Sequence, residues 1–409
     1  MTTTTTTEAS GTIDLIREKL TQAPAILEEV GVDCWVTFVR ESLECPDPVL
    51  PLIFPYSLTW QSALVVTRSG ERIAVIAGHD AEAVESIGTW DRIEGYLDGV
   101  REPLQRVIAE LNPQSIALNY SADDYMADGL SHGMYQRLRE FLPDHADRFV
   151  SAERVLRSLR GRKSPAEIMR IREAITTTRQ IFENTGAFVQ IGTNEVEIAE
   201  FMREQARKRG CGLAWDPAMC PIVTSGPDSM LGHAVPSASI TVQPGRILNL
   251  DFGIRQNGYC SDLQRAWYVP EKGETAPPKD VQRAFDTVQR AIGAAIDSIR
   301  PGVPGWQVDA AARRVITDAG YPEYDHGTGH QVGRCAHDGG GSLAPKWERY
   351  GASAEIPLEV GNVFTVEPSI ADVAGRGYHA IEEIIVVTED GCEYLSQPQQ
   401  QLWMLDGAV

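Results

Sequence analysis

The residues best suited to chemistry in this chain are acids set inside β-type apolar runs. Two lie in residues 248–268, LNLDFGIRQNGYCSDLQRAWY. Asn257-Gly258 between two such runs signals a two-residue hairpin. With that pair as the loop, Gln256 faces Tyr259, Gly253 faces Asp262 and Asp251 faces Gln264. Side chains alternate along a strand, so Asp251 and Asp262 emerge on one face as diagonal neighbours, roughly 7–8 Å apart at the backbone. At about 5 Å and an effective dielectric near 20, two carboxylates repel by roughly 3 kcal/mol. A cation between them turns that cost into a gain.

Further acids and imidazoles follow. Residues 326–337, HGTGHQVGRCAH, place His326, His330 and His337 in a glycine-rich stretch that allows close backbone approach. FTVEP places Glu367 at a strand end, and Glu382 and Glu383 precede IIVV, so that one of the two can face inward. Taken singly, each of these is also what a solvated strand edge looks like. Together, Asp251, Asp262, His330, Glu367 and one of Glu382/Glu383 form a hard, oxygen-rich ligand set. It suits two divalent cations sharing carboxylates. Mn2+ is favoured by the oxygen count, and Co2+, Fe2+ and Zn2+ are alternatives. Two metals some 3.5–4 Å apart hold a bridging hydroxide and polarise a carbonyl, which is metal-assisted hydrolysis.

The elements that must position these residues fall into two groups. Residues 1–11 (Met, a Thr run, then Glu-Ala-Ser-Gly) read as a disordered start. From 12 to about 155, helical spacing over 13–30, 100–111 and 130–141 alternates with strand runs at 34–39, 63–66, 72–77 and 115–118. This predicts a small α/β domain. The basic residues Arg157, Arg160, Arg162 and Lys163 read as a solvated linker ahead of a capping-box helix start at Ser164-Pro-Ala-Glu167. From 161 to 409, helices at 165–188, 194–209, 279–299 and 305–319 accompany strands at 222–224, 247–268, 363–370 and 378–388. This is an α+β pattern with a mostly antiparallel sheet.

With 409 residues, two domains are the default. Fifty-seven acids against 37 bases give a net charge of −20, which argues against nucleic acid or an anionic membrane as partner. Seven scattered cysteines without C-x-x-C spacing suit reduced thiols in a cytoplasmic protein. No signal-peptide pattern and no 18-residue apolar run is present.

The ordered motifs SMLGHAVP (His233), LDFGIRQNGYCSDLQR, HGTGH-x6-H, FTVEP and IEE before IIVVTEDG resemble the pita-bread metallohydrolases, which include Xaa-Pro aminopeptidases, prolidases, methionine aminopeptidases and creatinase. The resemblance implies a C-terminal pita-bread (creatinase/aminopeptidase) fold over 161–409, behind a smaller N-terminal α/β domain of the creatinase and prolidase branch. It implies Asp251, Asp262, His330, Glu367 and Glu382 as metal ligands, with Asp262 and Glu382 bridging. His233, His337 and Glu367 become catalytic residues, and His233, His326, His337 and His379 line the substrate site. The implied activity is Xaa-Pro aminopeptidase or dipeptidase cleavage of an N-terminal amide bond, by a homodimer acting on small peptides. The alternatives are a metal-dependent C–N hydrolase of a small non-peptide amide or amidine, and a non-catalytic binding protein on the same fold. Where proline-specific members carry Arg-Ile-Glu-Asp, this chain has Ala380-Ile-Glu-Glu. His379 is the nearest substitute for the missing Arg, although it should point away from the face of Ala380.

Overall fold

The computed structural model describes residues 4–232 and 234–405, with side chains from residue 11 onward. His233 therefore lies outside the described residues. The chain divides into two compact units, Met1–Arg162 and Lys163–Val409.

In the first unit the elements run α1 (Thr4–Val30), β1 (Cys34–Val39), α2 (Leu50–Ile53), β2 (Ser62–Thr67), β3 (Arg72–Ala77), α3 (Ala81–Ile87), β4 (Arg92–Tyr96), α4 (Arg101–Leu111), β5 (Ile116–Leu118), α5 (His132–Phe141), β6 (Phe149–Ser151) and α6 (Glu153–Gly161). One six-stranded sheet has the order β4-β3-β2-β1-β5-β6. Alternation along its strands sends Trp35, Leu64, Val66, Ala74 and Ile76 to one core with α1 and α6. It sends Val36, Phe38, Val65, Ile73 and Val75 to a second core with α4 and α5. The unit is a three-layer α/β sandwich.

Two expectations are corrected here. Helix α1 starts at Thr4 rather than near Ile13, so residues 4–11 are helical where a disordered start was expected. Each residue added to an existing helix gains a hydrogen bond without a new nucleation cost. The basic stretch Arg157, Arg160, Arg162 and Lys163, expected as a solvated linker, instead lies on and just after α6, whose Val155, Leu156 and Leu159 are buried. Arg160 and Lys163 are buried as well.

In the second unit the elements run α7 (Pro165–Phe188), α8 (Glu195–Lys208), β7 (Gly212–Leu213), β8 (Ile222–Ser225), β9 (Ile247–Phe252), β10 (Ile254–Gln256), β11 (Tyr259–Cys260), β12 (Leu263–Tyr268), α9 (Lys279–Ser298), α10 (Gly305–Asp318), β13 (Val363–Val366), β14 (Ser369–Ile370), β15 (His379–Ala380), β16 (Glu383–Val387), β17 (Cys392–Tyr394) and β18 (Trp403–Met404). Ser164 and Glu167 make the reciprocal bonds of a capping box at the start of α7. The sheets are β18-β12-β9-β8, β11-β10-β7, β13-β16-β17 and β14-β15, antiparallel except for β12 with β18. The apolar faces of α9 and α10 cover Ile247, Ala266, Phe364, Ile381 and Ile385 from the strands. The hairpin register is the expected one: Asp251 opposite Gln264 and Gln256 opposite Tyr259. Asn257 (φ 51°) and Gly258 (φ 80°) are both left-handed, as a type I′ turn requires.

Candidate metal centre

Four segments of the second unit deliver carboxylates or imidazole to one buried point. The hairpin brings Asp251 and Asp262, whose carboxyl groups hydrogen-bond one another. The 326–337 loop brings His330. Its backbone joins β13 through Thr365 N to His330 O (2.9 Å) and Glu367 N to Thr328 O (2.8 Å). Gly329 allows that approach, because a Cβ there would sit 2.0 Å from Thr365 O. His330 Nε2 consequently lies 3.4 Å from Glu367 Oε1 and 3.7 Å from Asp262 Oδ2. Ligand atoms of Asp262, His330 and Glu382 lie within 4.8 Å of one another.

The hydrogen-bond roles suit cation binding. His330 Nδ1 is 3.3 Å from Gln331 O. That contact keeps the proton on Nδ1 and turns the Nε2 lone pair to the carboxylates. Glu367 is held by Gln264 Nε2 (3.2 Å) and Thr365 Oγ1 (3.3 Å). Asp251 Oδ1 and Glu382 Oε2 are buried without any hydrogen-bond partner. Buried polar atoms of this kind cost roughly 1–3 kcal/mol each, more when charged.

Burial drives the electrostatics. It raises Asp251 to about 7 and Glu367 to about 8, the charge of Asp251 adding to the effect on Glu367. Asp262 and Glu382 are pushed well above the carboxylate range, first by burial and then by the charges of the other acids. Four mutually repelling carboxylates are a site that divalent cations relieve, and the two orphaned oxygens supply free lone pairs. The donor set therefore fits a divalent metal centre.

The inward-facing member of the acidic pair is Glu382. Glu383 points the other way and is tied to Arg265 Nη2 (3.1 Å), Ser396 Oγ (2.5 Å) and Gln399 N (3.0 Å). His337 sits at the centre, its ring edge-on to His330 at 4.1 Å between centroids. His326 is anchored by its own contacts: Nδ1 bonds Gly327 O and Nε2 bonds Ser369 Oγ, both at 2.7 Å. His379, expected in the substrate site, is not brought there. Its ring packs 5.7 Å from Phe285 in the core, both nitrogens lack partners, and burial alone lowers it to about 3. The reason is strand alternation, which sends His379 to the opposite face from Ala380 and Glu382.

Sequence reasoning missed three supporting residues, Gln264, Asp309 and Tyr378. Gln264 braces Glu367. Asp309 accepts from Thr328 N (3.1 Å), Thr328 Oγ1 (2.8 Å) and Arg313, which fixes the histidine loop. The Tyr378 phenol bonds Ser369 and feels the charges of Glu367, Asp251 and Glu382. Because His326 Nδ1 donates to Gly327 O, its Nε2 accepts the Ser369 proton. Period-2 spacing from Glu382 through Ala380 was the available signal for Tyr378.

Residues 169–389 match metallopeptidase family M24. The chain belongs to this family. It is 35% identical over 245 residues to the probable dipeptidase PepE of Mycobacterium tuberculosis, a match that covers 59% of this chain and 60% of the relative. Dipeptidase PepE from Mycobacterium ulcerans superposes with a TM-score of 0.73 at 28% identity, over 96% of this chain and 98% of that structure. An Xaa-Pro dipeptidase from Bacillus anthracis gives 0.72 at 25% identity, over 95% and 100%. The second unit thus has the expected pita-bread fold, and the protein is a metallopeptidase. No helix among the described residues is long and apolar enough to cross a membrane.

Proposed function

We propose that the protein is a dinuclear-metal dipeptidase or aminopeptidase that cleaves the amide bond before proline. The observation that carries this reading is the convergence of Asp251, Asp262, His330, Glu367 and Glu382, with two of their oxygens lacking any protein partner. Similarity to PepE dipeptidases and to an Xaa-Pro dipeptidase supports the substrate class.

The five side chains would hold the cations. Mn2+ is the proposed ion, on the oxygen count. When bound, the metals supply an acidified water and polarise the scissile carbonyl. Glu367 accepts the proton of that water and passes it to the leaving nitrogen; Gln264 and Thr365 keep its carboxylate aimed. His337, and His233 by the same motif order, steady the oxygen of the tetrahedral intermediate. His326, held by Gly327 and Ser369, borders the substrate. A cytoplasmic homodimer is part of the proposal.

The test is a panel of Xaa-Pro dipeptides, longer Xaa-Pro peptides, non-proline dipeptides and guanidino or cyclic amides, each with Mn2+, Co2+ or chelator. Metal-dependent turnover of Xaa-Pro substrates is expected. Preferential turnover of the non-peptide amides, or full activity in chelator, overturns the reading. The amides belong in the panel because Ala380, a buried methyl, stands where proline-specific members carry Arg.

A further inference from the structure

Lys163 and Asp338 form an ion pair for which the proposed reaction has no use. Lys163 Nζ lies 2.8 Å from Asp338 Oδ2, and each side chain is only 1% exposed. Taking two charges out of water costs several kcal/mol per ion, and an apolar pair of similar size often serves stability as well or better. Stability alone is therefore a weak reason for this pair.

Its neighbours point to a geometric reason. Asp338 Oδ1 accepts from Cys335 N (3.3 Å), and Asp338 N donates to Gln331 O (2.9 Å). Together these bonds close residues 331–338 into a compact loop. Gly333 lies against the pair: a Cβ there would sit 2.1 Å from Asp338 Oδ2 and 2.7 Å from Lys163 Cε. Gly333 O in turn accepts from Cys260 N (2.7 Å), which joins the loop to the hairpin carrying Asp262. Lys163 is itself fixed, since its N–H bonds Gly361 O (3.0 Å) and the capping box of α7 begins at the next residue. One residue before Asp338 is His337, whose ring stands against His330.

We propose that the Lys163–Asp338 pair is a positioning device that sets the orientation of His337 over the metal centre. A carboxylate held at both oxygens fixes the backbone next to His337 in direction as well as distance, which an apolar contact does not. The proposal rests on the reading of His337 as a substrate-site residue.

The test uses the full chain with Zn2+ or Mn2+ bound. Lys163→Met with Asp338→Leu removes both charges together and leaves no unpaired charge. Asp338→Asn is the second variant, in case the double change folds poorly. The expected result is unchanged metal content and a loss of about a hundredfold in kcat against an Xaa-Pro dipeptide, with KM little altered. In a His337→Ala background the same changes are expected to cost almost nothing more. Equal losses in both backgrounds, or wild-type kcat in the folded double variant, overturn the proposal. Imidazole 15N resonances of the Zn2+ form give a readout independent of turnover. The His337 signal, assigned by its loss in His337→Ala, should move toward that of a freely rotating ring in the variants. If wild-type protein cleaves no peptide, the substrate reading fails while this signal still decides the positioning role: an unmoved signal refutes it.

Discussion

Chelating the metal should make the stability of this protein fall steeply as pH rises. In the folded chain without cations, burial holds Asp251 at about 7 against an ordinary 3.8, and burial with the charge of Asp251 holds Glu367 at about 8 against 4.5. The shifts are 7 − 3.8, about 3.2, and 8 − 4.5, about 3.5, and each unit corresponds to about 1.36 kcal/mol. Either group alone thus contributes on the order of 4 kcal/mol. The two together contribute less than their sum, because they titrate in each other's field. Both values are raised on folding. The contribution is therefore full below about pH 4, where both groups are protonated in both states, and is gone once pH has risen through the folded values near 7 and 8. For a domain of this size, 4 kcal/mol corresponds to roughly 8–16 °C in Tm. Bound cations reverse the sign, because they favour the ionised ligands, so metal-loaded protein should lose stability as pH falls. Scanning calorimetry from pH 5 to 8.5, with chelator and with Mn2+, measures both slopes. A chelated protein whose Tm is flat or rises between pH 6 and 8, or a metal effect no larger at pH 8 than at pH 5.5, would refute the account of these acids as an uncompensated cluster.

Asp262→Ala should abolish tight metal binding and peptidase activity while leaving the circular dichroism spectrum close to wild type. Metal retained after dialysis counts against its place in the centre. Glu383→Gln should leave metal content unchanged but lower stability by roughly 3–5 kcal/mol, read by urea unfolding, because Arg265 stays buried with its charge unpaired. Glu382→Gln should do the opposite, losing metal while raising the Tm of chelated protein at pH 8. Tyr378→Phe removes one hydrogen bond at the end of the Ser369–His326 chain, worth about 1 kcal/mol, and should lower kcat/KM about fivefold with metal content intact.

Much of the frame was legible because it rests on local periodicity. The I′ hairpin signal placed Asp251 opposite Gln264 before any coordinates, and helix α7 runs over the same 165–188 that its capping box and apolar spacing define. The start of α1 and the helix α6 were not legible. Thr-rich sequence carries no amphipathic signal, and the basic residues of α6 hide an apolar stripe that only its partners reveal. Lys163 and Asp338 escaped for a different reason. They are 175 residues apart, and nothing in either neighbourhood announces the other.

The adjacent acids Glu382 and Glu383 show where local reading stops and what replaces it. Both are 1% exposed, both interrupt the same apolar run, and alternation says only that they diverge. Partners from distant segments separate them. Glu383 meets Arg265, the Ser396 hydroxyl and the Gln399 amide, a set that leaves its charge compensated. Glu382 meets Asp262, Glu367 and Asp251, and keeps one oxygen with no donor at all. A buried carboxylate with its donors supplied by the protein is part of the fold. One surrounded by other carboxylates carries its charge only with a cation the chain does not contain, and that difference marks the metal centre independently of any motif.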